Sequence, residues 1–284
     1  MPGDEVRNAL LKFFYFQEFD GDMADGYEQI PPGTKIDYYG RFKRYDMPGY
    51  AFHKNTVEAD QESSLIQAVY KHVKTTGDTS FLNEVVHGKT VMRRMELALG
   101  YLMNFRYDHK YGMLWNAATA DWGDVQFKDK WGVKFDENKI FYHGGTAVAI
   151  EAGLLNRTQV LISLHKMEQD VKDAGAQSIG LTMYPPYPSG TFANPGLEPY
   201  HYQNGGDWTW FGARMITDLV RYRYVRQAYR DIQPFVNRVV EHHGFYEWYT
   251  IKGKPEGSSS FKGSAGVLMQ AIDALRAWAR GKVK

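Results

Sequence analysis

Glu58-Ala59-Asp60-Gln61-Glu62-Ser63-Ser64-Leu65-Ile66-Gln67-Ala68-Val69-Tyr70-Lys71-His72-Val73-Lys74-Thr75-Thr76-Gly77-Asp78 is the stretch on which the fold class turns. Leu65, Ile66, Val69, Tyr70 and Val73 recur at three-and-four spacing, which lines one face of an α-helix, and Gly77 stops it. A second helix is expected from Thr79 to about Arg106, with Phe81, Leu82, Val85, Val91, Met95, Leu99 and Leu102 turned inward. The short Thr76-Gly77-Asp78 link makes the two antiparallel neighbours, a helical hairpin.

The same pattern repeats outward from this pair. Toward the N-terminus, Asp4 to Phe19 reads as a helix with a dense aromatic face, followed by a long irregular stretch from Asp20 to Asn55. Tyr38, Tyr39, Tyr45 and Tyr50 argue against simple disorder there, because disordered tracts are poor in aromatics. Toward the C-terminus, Asp108 to Gly112 is a turn and Met113 to Asn116 a brief strand. A short helix is expected over Thr146–Leu155, and Asn156 caps another from Arg157 to about Ala174. Ile179 to Tyr202 holds five prolines and must be loop. Asp207 then reads as the N-cap of a helix carrying Trp208, Phe211, Met215, Leu219 and Tyr222. Further helices are expected over Val225–His242 and Ser264–Trp278. The sum is an all-α chain of about eight helices in pairs, read as one domain over residues 1–284. Its long, aromatic links gather at one end, where residues 20–55 also belong.

Composition removes several function classes. The chain has 284 residues, a net charge of +1 and no cysteine. Scattered charges give no field for nucleic acid or an anionic membrane. Without cysteine there is no disulfide framework, thiolate zinc site or cysteine nucleophile. No apolar run approaches the roughly 20 residues of a membrane span, and Met1 to Leu11 carries no secretory signal, so the expected location is the cytoplasm. His-Glu-x-x-His, a phosphate-binding loop and Gly-x-Ser-x-Gly are all missing; the Gly88-Lys89-Thr90 stretch reads as helix. Aromatic residues reach 15%, with 20 tyrosines and 7 tryptophans, and such rings suit the flat faces of sugars.

Three links carry the chemistry. Thr119-Ala120-Asp121-Trp122-Gly123-Asp124-Val125-Gln126 places two carboxylates beside an indole. Phe245-Tyr246-Glu247-Trp248-Tyr249 adds a third carboxylate in an aromatic setting. Glycoside hydrolysis needs one acid to protonate the leaving oxygen and a second carboxylate to handle water or form a covalent bond, a pairing that Asp124 and Glu247 could supply. The plain alternative is that Asp124 caps a turn and Glu247 pairs with a nearby Lys or Arg. Gln203-Asn204-Gly205-Gly206-Asp207-Trp208 offers amides and a carboxylate for vicinal hydroxyls and an indole to stack on a ring. Its glycines permit positive φ or close backbone approach.

Taken in order, these segments resemble the six-hairpin glycosidases. These are (α/α) toroids that include alkaline/neutral invertases, the amylo-α-1,6-glucosidase part of glycogen debranching enzymes and glucosidase-I-like hydrolases. Asn55 to Asp60, leading into Ala68-Val69-Tyr70 and Thr76-Gly77-Asp78, is similar to the family's helix facing the sugar. Trp122-Gly123-Asp124-Val125 resembles the segment with the general acid, and Tyr202 to Trp208 the Asn-Gly-Gly-x-Trp loop. Phe245 to Tyr249, followed by Gly253 and Phe261-Lys262-Gly263-Ser264-Ala265, resembles the segment with the general base.

The resemblance implies an inverting hydrolase acting on a terminal glycosidic bond of an oligosaccharide or glycoside. Asp124 would be the acid and Glu247 the base, with their carboxyl groups about 6.5–9.5 Å apart and no metal or cofactor. Asp60, Asp121, Trp122, Gln203, Asn204, Asp207, Trp208, Trp248 and Lys262 would hold the sugar. The family toroid has twelve helices, so this one is expected to be incomplete, with apolar flanks that a homo-oligomer could cover. Two readings from other classes compete: an inactive carbohydrate-binding remnant, and a helical-repeat module whose aromatic loops bind protein.

Overall fold

The computed structural model describes residues 2–31, 49–53, 60–110, 112–114, 127–128 and 136–281. The chain divides into two compact units, Met1–Ala118 and Thr119–Lys284. It is mostly helical, with nine α-helices and five two-stranded sheets among the described residues.

In the first unit, α1 (Pro2–Tyr15) is followed by an antiparallel pair, β1 (Gly26–Gln29) with β2 (Tyr50–His53). Two short strands at the ends of the stretch expected to be irregular therefore pair. Phe16 leaves the helix to stack on Phe52 beneath this ribbon, with Tyr15, Tyr27 and Tyr50 around them. Helix α2 (Gln61–Thr76) ends on Gly77 at φ 74°, a left-handed position that glycine takes without Cβ strain. Leu65 and Val69 of α2 join Leu10 and Phe14 of α1, with Phe81, Val91 and Ala98, in one core. Each such fully buried large side chain stabilises by about 1.5–3 kcal/mol.

The single helix expected from Thr79 to Arg106 is broken. Thr79–Asn83 is a 3₁₀ turn capped by Asp78. Then β3 (Val85–Val86) and β4 (Lys89–Thr90) form a hairpin around His87 and Gly88, both at positive φ. That is the backbone of a two-residue hairpin turn, so Gly88-Lys89-Thr90 is not helical. Thr90 accepts from the Arg93 N–H and opens α3 (Val91–Tyr101), which continues as a π turn over Leu102–Arg106. The expected brief strand is present as β6 (Met113–Leu114), paired with β5 (Tyr107–Asp108).

The second unit is built on α6 (Thr209–Arg221), buried on most of its circumference. Helices α4 (His143–Glu151) and α9 (Lys262–Ala279) pack along it. Phe235 presses on Gly212, where no Cβ would fit. Helix α5 (Arg157–Ala174) starts with the Asn156–Gln159 capping box and ends on Gly175 at φ 63°. Strand β7 (Phe141–Tyr142) pairs with β8 (Met183–Tyr184), the one strand inside the proline-rich loop. The helix expected over Val225–His242 is interrupted at Ile232, giving α7 (Val225–Asp231) and α8 (Gln233–His242). Strand β9 (Trp248–Tyr249) pairs with β10 (Pro255–Glu256) just before α9. At the start of α4, His143 is buried against Asp170, whose other oxygen takes Lys166. Burial pushes the imidazole pKa down, opposed by Asp170.

Candidate functional site

Two links of the second unit converge. The Tyr202–Trp208 loop lies beside β9, with Asp207 and Tyr249 exchanging backbone N–H···O bonds of 2.9 and 2.8 Å. The loop needs both its glycines. Gly205 sits at φ 87°, and a Cβ on Gly206 would collide with the Tyr202 carbonyl and the Trp248 ring.

Asp207 is not the helix N-cap. That position is Trp208, whose side chain makes no cap, and Asp207 turns inward to a different partner. It is 1% exposed, and Arg238 of α8, 4% exposed, donates to its Oδ1 at 2.9 Å. Ser178 Oγ donates to the same carboxylate at 2.7 Å, and Arg238 reaches Thr209 Oγ1 at 2.6 Å. The guanidinium also lies over the Tyr249 and Phe235 rings. This arrangement satisfies a carboxylate that burial alone would strongly disfavour.

Asn204 is equally committed. Its Oδ1 accepts from the Tyr187 N–H at 2.8 Å, and its Nδ2 donates to the carbonyls of Tyr187 and Leu197, each at 3.0 Å. Trp208 donates Nε1–H to the Tyr202 carbonyl at 3.0 Å and packs in a cluster with Phe211 and Trp248. Gln203 is buried as well, and its carbonyl accepts from Thr182 Oγ1 at 3.0 Å. Asn204, Asp207 and Trp208, expected to hold the sugar, are all buried, with their polar atoms given to the protein's own groups. As folded they shape the loop, and a hydroxyl has no open path to their polar atoms.

Glu247 is different. It is half-buried at the start of β9, where Tyr202 Oη donates to its Oε1 and the Ser258 N–H to its Oε2, both at 3.2 Å. Among the described residues no Lys or Arg forms an ion pair with it. Gly257 makes room for this carboxylate: its φ is 71°, and a Cβ would strike the Glu247 side chain. Trp248 is nearly buried, its ring packed on Tyr202 and His201. Tyr202, quoted in the sequence only as the first residue of its loop motif, stands beside this group; it and Tyr200 are both at positive φ. Burial pushes the Tyr200 phenol pKa up.

The remaining expected site residues are placed as follows. Lys262 is exposed at the first position of α9. Asp60 belongs to the first unit, exposed at the N-cap position of α2 without a side-chain cap. Asp121, Trp122 and Asp124 lie outside the described residues.

Elsewhere in the second unit, a groove of about 1100 Å³ runs between α7 and α9, lined by Tyr224, Ile232, Val236, Leu275 and Trp278 with arginines at its edge. Its described lining residues include no carboxylate to act on a glycosidic bond. Among the described residues no group of three or more His, Asp and Glu side chains could hold a metal ion, and no helix is long and apolar enough to cross a membrane. Against known proteins, no family model matches the chain and no curated protein is significantly similar to it.

Proposed function

We propose that the chain is an inverting glycoside hydrolase on an incomplete (α/α) toroid, acting in the cytoplasm, with Glu247 as general base and Asp124 as general acid. In the reaction, Glu247 takes a proton from water as the water oxygen bonds to the anomeric carbon. The glycosidic C–O bond breaks, and its oxygen leaves with a proton from Asp124. The products are a reducing sugar of inverted configuration and an alcohol. No metal or redox partner enters this balance.

One observation carries the reading. Tyr202 and Glu247, 45 residues apart and drawn from two separately singled-out segments, meet through a hydrogen bond. That contact holds a half-open carboxylate by neutral donors, leaving lone pairs for a water. A counterion in the same place would compete with that water and weaken the base.

Hydrolysis of a panel of 4-nitrophenyl α- and β-glycosides tests the proposal, with the anomer formed first read by proton NMR. Wild type should release inverted sugar, Glu247→Gln should lower turnover by about 10²–10⁴-fold, and Asp124→Asn should do the same on alkyl glycosides, whose alkoxide leaving group needs the proton. A retained anomer, or variants as active as wild type, would sink the assignment. Sugar binding without turnover in any of the three proteins would leave a carbohydrate-binding module instead.

A further inference from the structure

We propose that Tyr202 is a positioning residue for Glu247, fixing the direction in which its carboxylate meets water; this rests on the hydrolase reading above. The phenol is a neutral donor on a rigid ring. It holds Oε1 from one side, while the Ser258 N–H holds Oε2 from the other. The left-handed turn at Gly257 presses close to the side chain between them. With both oxygens oriented, the remaining lone pairs point in fixed directions, and a general base must be aligned with its proton before its basicity matters.

The backbone of Tyr202 is shaped for this task. Its φ is 47°, a region that bulky residues seldom adopt and that glycine or asparagine would occupy with less strain. Neither would bring a phenol to Glu247. The conformation is held by the Gly206 N–H and Trp208 Nε1–H, which both donate to the Tyr202 carbonyl at 3.0 Å. The Tyr202 ring packs against Trp208 and Trp248 at centroid distances of 5.2 and 6.1 Å. Strain kept by this many contacts at a half-open carboxylate is a mark of function. The buried Asn204, Asp207 and Trp208 thereby acquire a purpose: they hold the loop that presents the phenol.

Tyr202→Phe removes only the hydroxyl and leaves those backbone contacts in place. In the full-length chain, the side-chain carboxyl ¹³C signal of Glu247, identified by its loss in Glu247→Gln, should move in Tyr202→Phe at fixed pH. An unmoved signal overturns the contact whether or not any glycoside is turned over. On the most reactive 4-nitrophenyl glycoside, kcat should fall about 10–100-fold with KM within about twofold, and the acid limb of the pH–rate profile should move upward. In the Glu247→Gln background the same change should cost nothing further. A rise in KM alone, or an undiminished loss in that background, shows that Tyr202 does not act through Glu247 and overturns the positioning role while the base assignment stands. Full activity of Glu247→Gln, or a wild-type chain inert toward the whole panel, overturns the hydrolase reading and with it the role of Tyr202. The carboxyl signal still reports the contact in that case.

Discussion

Asp207 and Glu247 sit on neighbouring backbone segments, joined by the Asp207–Tyr249 bridge, yet their carboxylates live in opposite environments. Asp207 is sealed against Arg238 and Ser178, with each oxygen taken. Glu247 is half-open and held by a phenol and a backbone N–H, without an ion pair among the described residues. A fixed counterion in a sealed site makes a carboxylate part of the scaffold. Neutral donors in an opening keep it available for water. An acidic residue beside tryptophan is therefore scaffold or reactive group according to the partner that folding gives it.

Arg238→Met breaks the sealed side of this comparison most severely. It strands the buried Asp207 carboxylate, and urea unfolding should show a loss of about 3–5 kcal/mol. Gly206→Ala attacks the contact between the two segments, since its Cβ meets rigid backbone and the Trp248 ring. A loss of about 1–3 kcal/mol is expected by the same measurement.

Asp218 of α6 supplies a third environment, buried with an unpartnered Oδ2. Burial chiefly, and Glu151 next, push its pKa up to about 7 against the opposing pull of Arg221 and Arg214. The folded chain therefore keeps a proton that the unfolded chain releases near pH 4. Stability is fullest below that pH and falls as pH rises through about 7. Asp218→Asn should be nearly neutral at pH 4 and stabilising by about 2 kcal/mol at pH 8, after allowing for screening by the arginines. Equal effects at both pH values would contradict the assignment. The smallest effect belongs to Glu247→Gln, whose amide can still accept from Tyr202; its stability should stay within about 1 kcal/mol of wild type.

Local pattern made much of this fold legible. The Asn156 cap and the stop at Gly77 lie where the sequence places them, because capping and left-handed turns are short-range effects. The glycines of the Gln203–Trp208 loop likewise perform their expected backbone roles. The helix read through Thr79–Arg106 failed because Phe81, Leu82 and Val85 fit a helical period by coincidence. His87-Gly88, followed by the Thr90 cap, was the overlooked hairpin signal. Strands β1 and β2 are only four residues each, too short to establish an alternation across their long connection. At the candidate site, the aromatic setting of Glu247 was readable, but the partner of Asp207 was not. Arg238 lies 31 residues away on another helix, and a long-range ion pair leaves no periodic trace. Tyr202 was passed over for a related reason, since a tyrosine among 20 draws attention only once its hydroxyl is seen on Glu247.

The central claim is that Glu247 is available for chemistry while its neighbour Asp207 is not. Comparing turnover and unfolding in the single variant Glu247→Gln tests it most directly. Hydrolysis of the best 4-nitrophenyl glycoside should fall about 10²–10⁴-fold while the urea midpoint moves little. Undiminished hydrolysis, or a loss of activity matched by a collapse in stability, would contradict it.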